Sequence, residues 1–242
     1  QTLDARKAEA DRFLQQGNQL FQQGDMRKAL LSFEEALKIY EQINDTISVG
    51  QALGSIGNVY IFLGEYQKSI QFLQQALTIF KKTDVTPESK DTILTFIGMT
   101  LGNLGNAYTA LGEHRKAIEF FQQNQKIAKE LGNKASEGAA LTGLGSAYDD
   151  LGEHKKAIEF HQKRQKIAEE LNYQKGIGAA LYNQGISYAS LGEYKKATVL
   201  FQKALAIFKE ISDSYGESLA LNGLGSVYTY LGEYEKAIKS IQ

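Results

Sequence analysis

Apolar residues recur along this chain with the spacing of helices. Leu141, Leu144, Gly145 and Tyr148 stand at i, i+3, i+4 and i+7, a single stripe at about 100° per residue, and predict a first helix, A, ending at Leu151. Gly152 suits the left-handed position just past a helix end. A second apolar run, Ala157, Ile158, His161, Ile167 and Leu171, predicts a helix B directly after it. No β-type alternation and no Asn-Gly hairpin interrupts the pattern, so the class is all-α.

The pair repeats. Leu151-Gly152-Glu153-His154 returns as Leu63-Gly64-Glu65-Tyr66, Leu111-Gly112-Glu113-His114, Leu191-Gly192-Glu193-Tyr194 and Leu231-Gly232-Glu233-Tyr234, with Gln23-Gly24-Asp25-Met26 as a degenerate first copy. Successive turn glycines are 40, 48, 40, 40 and 40 residues apart. A second glycine column precedes them by seven residues (Gly17, Gly57, Gly105, Gly145, Gly185, Gly225), and a third precedes that by seven more (Gly50, Gly98, Gly138, Gly178). The middle column lets A and B approach closely. Ala29, Ala117, Ala157, Ala197 and Ala237, with Ser69 in the second copy, do the same from helix B. The longer step carries eight extra residues around Thr83 to Asp91; Thr86 as cap and Pro87 at a first helical position predict a longer third A helix, with a loop as the alternative.

Gly-Asn-x-Tyr at Gly57 to Tyr60 and Gly105 to Tyr108, the Leu-Gly-Glu-Tyr turn and the following Lys-Ala-Ile resemble the tetratricopeptide repeat over nearly the whole chain. That repeat usually runs about 34 residues. A spacing of 40, with phrases such as Ile167-Ala168-Glu169-Glu170-Leu171-Asn172, looks more like the long-repeat subclass of Pins/LGN-type adaptors and of bacterial, especially cyanobacterial, signalling proteins. The resemblance implies a right-handed α-solenoid of six stacked helix-turn-helix units forming a single domain over 1–242. The repeats fall approximately at 8–47, 48–85, 86–135, 136–175, 176–215 and a truncated 216–242. The last B run breaks off at Gln242, so more chain, a cap or end-to-end self-association is expected beyond it.

Composition adds exclusions. Forty-three per cent hydrophobic residues with 13 Tyr and 12 Phe suffice for a core. Twenty-seven basic against 28 acidic residues, net −1, lack the excess that phosphate binding requires, so nucleic acid is not the expected partner. Without cysteine there is no disulfide or thiolate chemistry. No run approaches 18 apolar residues and the start is polar, so neither a membrane span nor a signal core is read, and a cytoplasmic location is expected.

P-loop, H-E-x-x-H and G-x-S-x-G motifs are missing from the sequence, so no catalytic residue and no cofactor is assigned. His114 and His154 fall in the column that Tyr66, Tyr194 and Tyr234 fill, as planar packing residues. His154 and His161, seven apart, lack a third ligand for zinc. Asn124-Gln125 and Arg164-Gln165 stand where sibling copies carry Ala76-Leu77 and Ala204-Leu205 and predict an altered contact between repeats, with a polar site as the alternative.

By the resemblance, A helices line a concave surface. On that face the register places Asn18, Asn58 and Phe62, then Asn106, then Ser146, Asp149 and Asp150, then Tyr182, then Asn222 and Tyr230. Exposed rings supply rigid contact area and amides pair with a ligand's main chain, so these residues are the candidate peptide site. Asn18, Asn58 and Asn106 would form an amide ladder, and Asp149-Asp150 would read a basic side chain. The expected function is a non-enzymatic interaction module for a segment of another protein. The alternatives are a regulatory receptor for a short signalling peptide, or the recognition arm of an enzyme whose catalytic domain lies elsewhere.

Overall fold

The computed structural model describes residues 2–241, and the side chains up to Lys239. The expectation about Gln242 lies outside them. Among the described residues the structure is helical with no strand: α1 (Leu3–Gln22), α2 (Met26–Gln42), α3 (Thr46–Phe62), α4 (Tyr66–Lys82), α5 (Lys90–Ala110) and α6 (His114–Glu130), then α7 (Lys134–Asp150), α8 (His154–Glu170), α9 (Gln174–Ser190), α10 (Tyr194–Glu210), α11 (Ser214–Tyr230) and α12 (Tyr234–Ile241). Odd-numbered helices are the A helices and even-numbered ones the B helices. The chain divides into two compact units, 1–132 with α1 to α6 and 133–242 with α7 to α12. Within each, every helix packs on the next in sequence; α3 also touches α5, and α9 touches both α7 and α11.

The glycine columns work as their spacing implies. At the A-to-B turn Gly152 adopts φ 74°, Gly152 N–H donates to the Asp149 carbonyl at 2.9 Å and Glu153 N–H to the Tyr148 carbonyl at 2.8 Å, a paired closure that satisfies the last carbonyls of α7. The next B helix opens with an ion pair, Lys156 to Glu153, and the same lysine lies 5.2 Å from the Tyr148 ring centroid. Lys68, Lys116 and Lys196 repeat it. The B-to-A turns use other residues in the left-handed conformation: Asn44 (φ 56°), Gly132 (63°), Asn172 (51°) and Ser212 (56°). Asp45, Asn133 and Asp213 follow as caps whose side chains accept from the backbone of Ser48, Ser136 and Gly216.

The middle column is where A and B meet. A Cβ added at Gly17 would fall 2.5 Å from the Phe33 ring; the same place is closed by Leu73 over Gly57, Phe121 over Gly105, His161 over Gly145 and Phe201 over Gly185. Ala29, Ser69, Ala117, Ala157 and Ala197 are fully buried.

The insertion is both helix and loop. Residues 83–89 lie outside the helices, with Ser89 and Lys90 N–H donating to the Thr86 carbonyl in a turn around Pro87. Helix α5 then starts at Lys90 and reaches 21 residues where α3 and α7 have 17. Thr86 therefore opens a helical turn just ahead of the helix and not the helix itself.

Candidate functional site

In the first unit α1, α3 and α5 enclose a cavity of about 220 Å³. Its floor is aromatic: Phe33 from α2, and Phe80 from α4 stacked on Phe96 at 5.4 Å. Gly50 admits the Phe80 ring, which a Cβ there would meet at 2.7 Å, and Gly54 leaves a gap whose nearest neighbour is the Thr100 hydroxyl at 3.8 Å. That hydroxyl is spent on the Phe96 carbonyl at 2.7 Å. The walls carry Asn18, Gln51, Ser55, Asn58 and Asn103, with Phe21 and Met99 beside them, and no charged side chain. Met99 is 60% exposed although apolar.

Of the residues read from register, Asn18 and Asn58 line this cavity. Phe62, also exposed, meets Phe21 edge-to-face at 5.0 Å next to it. Asn106 is exposed but does not line the cavity; its place is taken by Asn103, one turn earlier on α5. Asn103 was legible as the polar residue two before a column glycine, the position of Ser55, but the cavity itself arises from side chains that Gly50 and Gly54 do not have.

The second unit departs further from expectation. Asp149 turns inward and is only 16% exposed. Its Oδ2 accepts from Ser187 Oγ at 2.7 Å and faces His161 Nε2 at 3.3 Å, while Oδ1 faces His154 Nδ1 at 2.9 Å. With a carboxylate accepting, the protons sit on His161 Nε2 and His154 Nδ1. His161 Nδ1 is then buried without a partner. Burial, the largest influence, pushes the Asp149 carboxyl up; hydrogen bonds from His161, His154 and Ser187 together outweigh it and hold the group below its ordinary value. Both Asp149 oxygens are therefore engaged by side chains within the fold. His154 is likewise more than a packing ring. Ser187 donates to a carboxylate and not to an imidazole and is fully buried, an arrangement without an activated nucleophile. Among the described residues no group of three or more His, Cys, Asp or Glu side chains is arranged to hold a metal ion.

Gln165 accepts from the buried Gln184 at 2.8 Å, so the polar substitution there does serve a contact between repeats. Asp150 and Asn222 are exposed, Ser146 half-buried, Tyr182 packs at 5.5 Å on Phe201, and Tyr230, 71% exposed, stacks on Tyr194 at 4.9 Å.

Repeated antiparallel helix pairs with an open A-helix face and a half-apolar, half-amide cavity define a class of interaction scaffolds. The chain belongs to the tetratricopeptide repeat family, whose model matches residues 8–82, 96–170 and 176–242, and whose repeats are generally non-catalytic interaction modules. The gap at 83–95 contains the insertion. Comparison with curated proteins finds no significant match. Among solved structures the chain is similar to BtubC (BKLC) from P. vanneervenii, at 17% identity and TM-score 0.70, covering 100% of this chain and 89% of that one. It is similar to a Rap protein complexed with competence and sporulation factor, at 19% and 0.69, covering 94% and 71%. A signal transduction ATPase with numerous domains carrying a tetratricopeptide repeat sensor, from Pyrococcus horikoshii, matches at 19% and 0.76 over 97% of this chain but 36% of its own. At these identities the likeness is one of fold. Among the described residues no helix is long and apolar enough to cross a membrane.

Proposed function

We propose that the chain is a non-catalytic, cytoplasmic module that holds an extended segment of a partner protein against its A helices, with the six helix pairs over 1–242 acting as one recognition domain. The observation that carries this reading is the uncharged cavity of the first unit. An aromatic floor of Phe33, Phe80 and Phe96 suits one apolar ligand side chain, and a volume of about 220 Å³ exceeds the roughly 150 Å³ that accommodates a benzene ring in an engineered apolar cavity. Asn18, Asn58 and Asn103 each present a donor and an acceptor to main-chain amides flanking that side chain. The receptor reading, in which the ligand is a short signalling peptide, accords with the likeness to a Rap protein complexed with competence and sporulation factor, and the enzyme-arm reading with the likeness to an ATPase carrying a repeat sensor. The 40-residue spacing is read with it as that of the long-repeat, Pins/LGN-like and bacterial subclass.

The test is peptide selection from a displayed library, followed by titration of the selected peptide. Each lost amide contact costs roughly 0.5–1.5 kcal/mol, so Asn58→Ala with Asn103→Ala weakens binding by about tenfold or more, while Asn106→Ala does not. Equal affinity of the double variant and the native protein rejects the cavity as the site.

A further inference from the structure

Gly138 on α7 belongs to the same glycine column as Gly50 and Gly178. Against Gly50 lies the Phe80 ring, which forms the floor of the first unit's cavity, and against Gly178 lies the Phe208 ring. Against Gly138 lies a guanidinium: Cδ, Nε and Cζ of Arg164 stand 3.2, 3.2 and 3.3 Å from where a Cβ would be. The group continues toward α9, with Nη2 2.8 Å from the Cβ position of Gly176, and the Tyr173 ring centroid is 5.7 Å from its Cζ. Two glycines and a tyrosine thus frame a cation where Gly50 and Gly178 face a phenyl ring and Gly98 faces Asn124 and Ile127.

This cation lacks a counter-charge. Among the described residues no carboxylate lies within ion-pair distance of Arg164, and its Nη1 is buried with no hydrogen-bond partner. Sibling copies carry Ala36, Ala76 and Ala204 at this place, each fully buried, so packing there does not require an arginine. A partly desolvated guanidinium left unpaired is unfavourable, and its planar fork matches a carboxylate bidentately. Burial pushes this group below its ordinary value, with Tyr173 acting the other way, which fits a charge that has lost water without gaining an anion.

We infer that Arg164, framed by Gly138, Gly176 and Tyr173, is the floor of an anion site that takes a carboxylate of a bound peptide, from an acidic side chain or a free C-terminus. The peptide as source rests on the function proposed above; the anion site itself does not.

The experiment follows the Arg164 Nε–H signal by NMR in the full chain, at constant ionic strength. The probes are acetate, inorganic phosphate, acetyl-Gly-Gly-Gly with a free C-terminus, acetyl-Gly-Glu-Gly-amide and the neutral acetyl-Gly-Gln-Gly-amide. The expected result is a saturable shift, at roughly millimolar concentrations, with acetate and with at least one acidic peptide, and none with the Gln peptide. Which acidic peptide acts assigns the source. Arg164→Ala, the residue that three sibling copies carry, keeps the helical spectrum and melts no lower than the native protein without anion, and acetate stabilises only the native protein. Arg164→Lys retains part of the effect. Silence of all three carboxylate probes, a response to phosphate alone, or a lower melting temperature of Arg164→Ala with no anion response in the native protein overturns the assignment. A response to acetate but to neither peptide leaves the anion site and removes the peptide as its ligand.

Discussion

Asp149 shows how one side chain sets a polar network into an otherwise apolar repeat core. It stands where sibling copies carry Phe21, Ile61 and Ala189, and its partners His161 and Ser187 stand where they carry Phe121 or Phe201 and Val59 or Val227. A buried carboxylate is tolerable only with its acceptors filled, and three donors fill them here. Because its folded value is depressed relative to about 3.9 in the unfolded chain, the stabilisation is fully present above that pH and is lost as pH falls through the folded value. Asp149→Asn should therefore destabilise the protein by about 1–3 kcal/mol near neutral pH, with the gap narrowing as the pH falls below about 4. Urea unfolding of both proteins along that pH series measures it; a gap independent of pH contradicts the network. The inward position was legible only in part, since Asp149, at i+4 from Gly145, borders the core stripe while the register assigns it to the open face. What the register lacked was the arrival of His161 from α8 and Ser187 from α9, which only the packing of three helices brings together.

At the scale of elements, the two kinds of turn were unequally legible. The A-to-B turns repeat a Leu-Gly-Glu phrase, so their left-handed residue could be read directly. The B-to-A turns reach the same conformation through Asn44, Gly132, Asn172 and Ser212, with no shared residue type to mark the column. Ser212, at φ 56°, carries a Cβ into a region that disfavours it by roughly 1–2 kcal/mol, and the added chain entropy of glycine offsets part of any relief. Ser212→Gly is expected to stabilise by about 0.5–1 kcal/mol, and Gly152→Ala, at φ 74°, to destabilise by about 1 kcal/mol or more. Thermal melts of the two variants decide this; a loss on Ser212→Gly shows that the hydroxyl, and not the backbone, sets that turn. The insertion was ambiguous for a related reason. Thr86-Pro87 is favourable helix-start chemistry, yet the hydrogen-bonded turn it forms at 86–89 precedes the helix that begins at Lys90.

For the whole molecule, what matters is that helices pack on their sequence neighbours and on the next A helix, and among the described residues not on distant elements within either unit. Stability in such an array is close to a sum of repeat and nearest-neighbour terms, so damage should stay local. Phe33 is the sharpest probe: it is 2% exposed, lies against Gly17, and forms part of the core that joins α1, α2 and α3. Phe33→Ala should cost about 3–5 kcal/mol locally. Native-state hydrogen exchange should then show protection lost in α1 to α3 while the amides of α10 and α11, built on Phe201, Phe208, Leu224 and Val227, keep theirs. The same substitution removes part of the floor of the first cavity and so abolishes capture of the selected peptide, whereas the Arg164 signal in the second unit still responds to acetate. Uniform loss of protection across all described helices would mean that the chain unfolds as one cooperative body, and the two sites could then not be treated as separable.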